Sequence, residues 1–328
     1  IISDIKGNNY AIYNDTTKQN TIKKSILNGN NAIYKYSTSI TTIDNTEING
    51  YINNNNSGST INITGNKVTG NIYNNGKLTI KNAKVNYTAN TYSHAFAIES
   101  NGILTLENNE ITAVTSYATS NDIQDVYNKG TMTSTGNKYT AKYNYNNNRS
   151  RYVLGIQNNG ILTSTNDTFD LSYGNKTAGI YSNTDNSTTI TNATSHLYNS
   201  NNAYTIYNVK GTTSIVNSSS NIDNNTNAYG IYMEAGDITT ENTEYNITSS
   251  TNGYGTYMST GTLTVKSGKM NVNVTGTAYG IRMDNGTLTL GVEDGRGTDA
   301  ADVSTTDPYI KAIGQTGIGI SITNKTKL

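Results

Sequence analysis

The chain has 328 residues, 23 basic and 23 acidic side chains that cancel, 26 tyrosines, 30 glycines, one proline and no cysteine. The lack of cysteine excludes disulfides and thiolate metal sites, and the balanced charge leaves no basic surplus for nucleic acid. No apolar run reaches the length of about 18 residues that a membrane-spanning helix needs, so the sequence calls for no membrane insertion.

Hydrophobic residues make up 34% of the chain and charged residues 14%. Disordered chains combine low hydrophobicity with charge, proline and a shortage of β-branched and aromatic residues. Here Ile, Val, Thr and Tyr abound beside Asn, Ser and Gly. The composition therefore predicts a β protein with a thin core and a large surface.

The chain begins Ile1-Ile2-Ser3-Asp4, without a Met or a signal peptide, which reads as a fragment or processed form of a longer chain. A short phrase then recurs: a small residue, an aliphatic one, often Tyr, often Asn. It appears as Ala11-Ile12-Tyr13-Asn14, Ala32-Ile33-Tyr34, Tyr51-Ile52-Asn53 and Asn71-Ile72-Tyr73-Asn74, about 20 residues apart. It continues as Ala97-Ile98-Glu99, Asp125-Val126-Tyr127-Asn128, Gly155-Ile156-Gln157-Asn158 and Gly179-Ile180-Tyr181, now 24 to 30 apart. From Thr205-Ile206-Tyr207-Asn208 the period settles at 25, through Tyr229-Gly230-Ile231-Tyr232-Met233, Tyr254-Gly255-Thr256-Tyr257-Met258 and Tyr279-Gly280-Ile281-Arg282-Met283. Gly317-Ile318-Gly319-Ile320 is a last echo. Residues 1-328 read as one repeat domain of about a dozen turns, because such self-similarity marks a stacked repeat architecture.

Each regular repeat holds three short alternating runs, such as Tyr229 to Ile231, Ile238 to Thr240 and Tyr245 to Ile247. Period-2 alternation bounded by Gly, Asn and Ser predicts half-buried strands. Three strands per 25 residues suit a coil whose turns pair in parallel, an all-β single-stranded parallel β-helix (β-solenoid). Three inward columns follow: Ile12 through Ile281; Ile80, Leu106, Ile190, Ile215, Val265 and Leu290; and Leu197, Ile222, Ile247 and Val272. Alternation also places Tyr204, Tyr229, Tyr254 and Tyr279 inward. Asn14, Asn74, Asn128, Asn158 and Asn208, with glycines such as Gly76, Gly102, Gly211 and Gly236, read as left-handed bend residues.

Two outward columns are the candidate functional surfaces. Thr79, Thr105, Thr133, Thr163, Thr189, Thr239, Thr264 and Thr289 form a hydroxyl ladder, explained either by the β propensity of threonine or by an ice-binding array. Tyr13, Tyr34, Tyr73, Tyr127, Tyr181, Tyr207, Tyr232 and Tyr257 form the second, interrupted by Glu99, Gln157 and Arg282. Exposed aromatics in a row can stack on sugar rings or pack against another rod, and cross-strand stacking alone also accounts for them.

Signals of catalysis are sparse. His94 and His196 lie far apart, and the register turns His196 outward. Asp167 with Asp170, and Asp122 with Asp125, are the nearest carboxylate pairs, but a spacing of three puts partners on opposite faces of a strand, whereas glycoside hydrolysis needs them facing. Gly295 to Asp299 reads as a flexible loop. The expectation is a protein that is not an enzyme, with no metal and no cofactor.

The phrase at Ala228 to Tyr232, the run Gly261 to Val265 and the repeat Ala278 to Leu290 resemble those of adhesin-like surface proteins of gut Firmicutes and related bacteria, which carry pectin-lyase-like β-helix repeats. Val303 to Ile310 is similar to a loop found late in such arrays. The resemblance implies a right-handed coil and an extracellular or cell-surface rod, a stalk or adhesive shaft, and carries over no catalytic residue. The uncapped apolar stretches Ile1 to Ile5 and Ile318 to Ile322 point to self-association, end to end or side by side. Surface glycans are the other candidate partner. The alternatives are a polysaccharide-degrading enzyme or phage tail-spike-like β-helix, and an ice-binding solenoid.

Overall fold

The computed structural model describes residues 3–89, 95–115, 122–143, 152–248, 250–291 and 307–323. Within them every regular element is a strand, and strands stack in parallel into a β-solenoid of about 11 turns. Each turn contributes one strand to each of three faces, as in Asn227–Met233, Asp237–Glu241 and Thr243–Thr248. At about 4.8 Å between neighbouring strands, the rod is roughly 50 Å long. His94 and Gly295 to Asp299 lie outside the described residues, as does most of Val303 to Ile310.

The three inward columns are present in register. Ile12, Ile33, Ile52 and Ile72 pair in sequence on the first face, and Ile180, Ile206 and Ile231 continue that column. Leu197, Ile222, Ile247 and Val272 stack on the third face and are all fully buried. No turn could bury these side chains alone, so stability accrues at the contacts between neighbouring turns.

Polar ladders run beside the apolar columns. Asn14, Asn74, Asn128, Asn158 and Asn208 are buried, and none has the left-handed backbone expected of a bend residue. They point into the coil and bond along its axis. Asn54 Nδ2 donates to Asn74 Oδ1 at 2.7 Å, and Asn128 Nδ2 to Asn158 Oδ1 at 2.7 Å. Asn74 and Asn158 also donate to the carbonyls of Gly76 and Gly160, and the Gly76 carbonyl accepts the Ile103 amide as well. The left-handed residues sit at other corners, among them Asn82, Asn108, Asn166 and Asn192 between the second and third faces. The glycines divide likewise. Gly211 and Gly236 have positive φ, whereas Gly102 is needed because a Cβ there would lie 2.1 Å from the carbonyl oxygen of Gly76.

Candidate functional site

The first face bends within each strand, and the bend sets the aromatic surface. In Asn227–Met233, Gly230 and Ile231 are both buried while Tyr229 and Tyr232 on either side are half-exposed. Gly230 breaks the alternation: Tyr229 pairs with Tyr254 and Ile231 with Thr256, and the glycine between has no partner in the ladder. A Cβ on Gly230 would lie 2.7 Å from the Tyr245 ring beneath it. Tyr204, Tyr229, Tyr254 and Tyr279 therefore do not join the main core. Tyr204 and Tyr207, with Leu154 and Ala178, form a separate apolar cluster flanked by Tyr181, Tyr229 and Tyr232.

Two tyrosine columns thus stand side by side. Tyr204, Tyr229, Tyr254 and Tyr279 stack at centroid spacings of 5.0, 4.7 and 5.2 Å. Tyr181, Tyr207, Tyr232 and Tyr257 stack at 5.0, 4.7 and 4.9 Å. The columns meet edge to face, for example Tyr204 with Tyr207 at 4.9 Å. Tyr207 donates a hydrogen bond to Glu234, and Tyr257 donates to Asp284 at 2.6 Å. Arg282 closes the array, its guanidinium 5.6 Å from the Tyr257 ring and 5.5 Å from that of Tyr279. Burial raises the phenol pKa of Tyr181 to about 12, and burial with the Asp284 hydrogen bond raises Tyr257 to about 12. Burial pushes Tyr204, Tyr207 and Tyr229 higher still.

The eight tyrosines of the outward column do share one register, but their surroundings differ. Tyr13 is 55% exposed and stacks on Tyr34 at 5.6 Å. Tyr73 stands between Asn53 and Glu99, and Tyr127 between Glu99 and Gln157 with the Lys129 ammonium 4.5 Å from its ring. Tyr207 is 6% exposed, whereas Tyr181, Tyr232 and Tyr257 are half-buried. In the stacked segment the ring faces are turned to one another, so solvent meets ring edges and phenol oxygens. A sugar ring needs an open aromatic face, and the stack spends those faces internally.

The hydroxyl ladder extends beyond the eight threonines. Thr21, Thr42 and Ser214 continue it in register, and Asn62 puts an amide in the same column. Charged pairs border it, including Lys81 with Glu107 at 2.5 Å and Lys266 with Glu241 at 3.2 Å. A polar recess of about 700 Å³ opens at the corner beside the latter pair, lined by Glu241, Asn242, Glu244, Lys266 and Tyr309 among others.

Both acidic pairs are split, Asp167 from Asp170 by alternation and Asp125 from Asp122 by the bend of the first face. Asp167 is fully buried and Asp170 points outward; Asp125 is fully buried and Asp122 lies partly at the surface. Asp167 ends a second amide ladder, accepting from the Asn137 backbone at 2.8 Å and from Ser164 Oγ at 2.7 Å. Asp125 occupies a corner where neighbouring turns carry Ala97 and Gly155, and accepts from the Ala113 amide at 2.7 Å. Burial raises both carboxyls. His196 lies outward, with Nδ1 3.6 Å from Asp170, Nε2 3.4 Å from Asp223 and its ring stacked on Tyr198 at 4.6 Å. Among the described residues no three His, Asp or Glu side chains converge as metal ligands.

Lys35 has no counterpart in the sequence reading. It takes an asparagine's place in the inner ladder between Asn14 and Asn54, and is fully buried. Its amine donates to Ser39 Oγ at 2.7 Å and Ser37 Oγ at 3.4 Å, and burial lowers its pKa. The register Asn14, Lys35, Asn54, once aligned, is the signal that marks it.

Fold and surface together define a parallel β-solenoid with in-register hydroxyl and tyrosine columns. No family model, no curated protein and no solved structure matches the chain.

Proposed function

We propose that the chain is a non-catalytic structural rod of an extracellular or cell-surface protein, an adhesin-like shaft of the pectin-lyase-like type. The observation that supports this most is the repetition of one uncharged group along the long axis: the threonine column presents a hydroxyl at nearly every turn, about 4.8 Å apart. Repetition of this kind suits a repetitive partner, a surface glycan or another rod. Asp125 and Asp167 face the interior, where they serve backbone and ladder hydrogen bonds. Association with another rod, end to end or side by side, is part of this proposal.

Glycan-array binding without turnover, together with filaments in electron micrographs at rising concentration, is the expected result. Release of products from a panel of polysaccharides would overturn the non-catalytic reading, and strictly monomeric particles would overturn self-association. The hydroxyl column also favours a second reading, ice binding, which a thermal-hysteresis measurement tests directly.

A further inference from the structure

The surface of this protein is chemically narrow in its response to oxidants. The chain has no cysteine and no tryptophan. All five methionines, Met132, Met233, Met258, Met270 and Met283, are at most 2% exposed. Tyrosine is therefore the most readily oxidised side chain that solvent reaches. The tyrosines differ sharply in access. The long double column holds Tyr204 and Tyr207 at 5% and 6% exposure, and Tyr207 is tied to Glu234. Tyr36, Tyr51 and Tyr309 are 53%, 44% and 52% exposed, and none of them stacks on or stands edge-on to another of the described rings.

Among the described residues two groups combine exposure with ring contact: Tyr173, 42% exposed, meets Tyr198 at 6.2 Å and 71°, and a closer group of three rings lies on the first two turns. Tyr10 is 41% exposed and Tyr13 55% exposed, and Tyr34, on the second turn, is half-exposed. Tyr13 and Tyr34 are parallel, 4° apart, with centroids 5.6 Å apart. Tyr10 stands edge-on to both, 5.5 Å from Tyr13 and 5.3 Å from Tyr34, at interplanar angles of 65° and 64°. A parallel pair sets ring carbons over each other's π faces. A biaryl bond instead joins ring edges at a twist, which the Tyr10 and Tyr34 arrangement approaches. The first and second turns otherwise meet here through backbone pairing from Tyr10 to Asn14 with Asn31 to Lys35.

We infer that the Tyr10, Tyr13, Tyr34 cluster is an oxidative cross-linking site, at which Tyr10 couples to Tyr34 and staples the first turn to the second. The oxidant is a peroxidase with hydrogen peroxide. Each phenol gives up one electron and one proton, and the two electrons and two protons reduce hydrogen peroxide to two waters. The resulting radicals join at their ortho carbons. Each ring then moves its ortho hydrogen to the phenol oxygen, which restores aromaticity and leaves a biaryl two hydrogens lighter than the separate side chains.

The test treats the folded 328-residue chain with horseradish-type peroxidase and limiting hydrogen peroxide, then denatures and digests it with trypsin. Cleavage after Lys6, Lys18, Lys24 and Lys35 releases residues 7–18, which hold Tyr10 and Tyr13, and residues 25–35, which hold Tyr34. The expected product is these two peptides joined at their summed mass less two hydrogens, with dityrosine fluorescence in the monomer band. Tyr34→Phe and Tyr10→Phe should each lower it at least tenfold, while Tyr309→Phe leaves it unchanged; circular dichroism checks that each variant is folded. Persistence of the product in Tyr10→Phe would assign the bond to Tyr13 and overturn the proposal. Coupling confined to residues 7–18, cross-links only between chains, or reaction spread evenly over the exposed tyrosines would also overturn it.

Discussion

Raising the pH past the tyrosine range should unfold this rod cooperatively, and the structure sets the scale. Tyr139, Tyr204, Tyr207 and Tyr245 are between 0% and 6% exposed, and burial raises all four phenols well above their ordinary value. In the unfolded chain these groups ionise near pH 10. Above that pH the folded state binds more protons than the unfolded one, so stability is full below pH 10 and falls as pH rises. Each phenol held neutral costs about 1.4 kcal/mol per pH unit, and four together about 5 to 6 kcal/mol per unit. Tyr181, Tyr229 and Tyr257 act in the same direction, though solvent screening at their exposed edges makes each contribute less. A native stability of about 5 to 15 kcal/mol would then be exhausted between about pH 11 and 13. The assay is an equilibrium pH titration following far-ultraviolet circular dichroism and tyrosinate absorbance together. The buried phenols should ionise in the same step that removes the β signal. Tyr204→Phe keeps the ring stack, removes one titrating group, and should move the midpoint upward. Ionisation of nearly all tyrosines near pH 10 with the β signal intact would refute the reasoning.

Three further perturbations probe the interior. Gly230→Ala should cost about 1 to 3 kcal/mol by overpacking, since its Cβ would meet the Tyr245 ring at 2.7 Å, whereas Gly319→Ala, with nothing within 4 Å, should be near neutral in urea denaturation. Lys35→Met removes a buried amine while keeping side-chain volume, and Ser37 and Ser39 still bond each other at 2.9 Å; a gain of about 1 to 3 kcal/mol at pH 7 is expected, and a loss would show that the amine is stabilising. Asn158→Ala strips partners from Asn128 Nδ2, the Gly160 carbonyl and Thr188 Oγ1, and should cost about 2 to 4 kcal/mol, read as a lower melting temperature.

Much of the fold was legible because a solenoid repeats its instructions. The column from Ile12 to Ile281, the threonine ladder and the split of Asp167 from Asp170 all follow from counting by two within a strand and by one period between turns. The misreadings occur where the chain bends. Counting by two from Ile231 sends Tyr229 inward, but Gly230 resets the count, and Tyr229 and Tyr232 emerge on the same side. A glycine recurring inside a strand pattern, at Gly155, Gly179, Gly230, Gly255 and Gly280, is the signal of that bend. Asn74 and Asn158 were legible as corner residues, but their inward placement, without a left-handed backbone, was not. An inward amide ladder satisfies corner carbonyls as well as a left-handed bend residue does, and composition alone does not separate the two.

The bend also determines what kind of recognition the rod can offer. A straight strand would have hidden one tyrosine column in the core and left the other as a lone row of rings. The glycine corner brings both columns outside, where they bury each other's surface edge to face and spend their ring faces on stacking. The aromatic strip from Tyr181 to Tyr279 is thereby a stabilising element on the exterior, linked through Glu234, Asp284 and Arg282. An open aromatic face belongs where the stack is interrupted, at Tyr73, whose neighbours in register are Asn53 and Glu99. If this rod binds sugars by stacking, Tyr73→Ala should weaken glycan retention several-fold while Tyr232→Ala lowers stability and leaves retention per folded molecule unchanged. The reverse pattern would return recognition to the stacked columns.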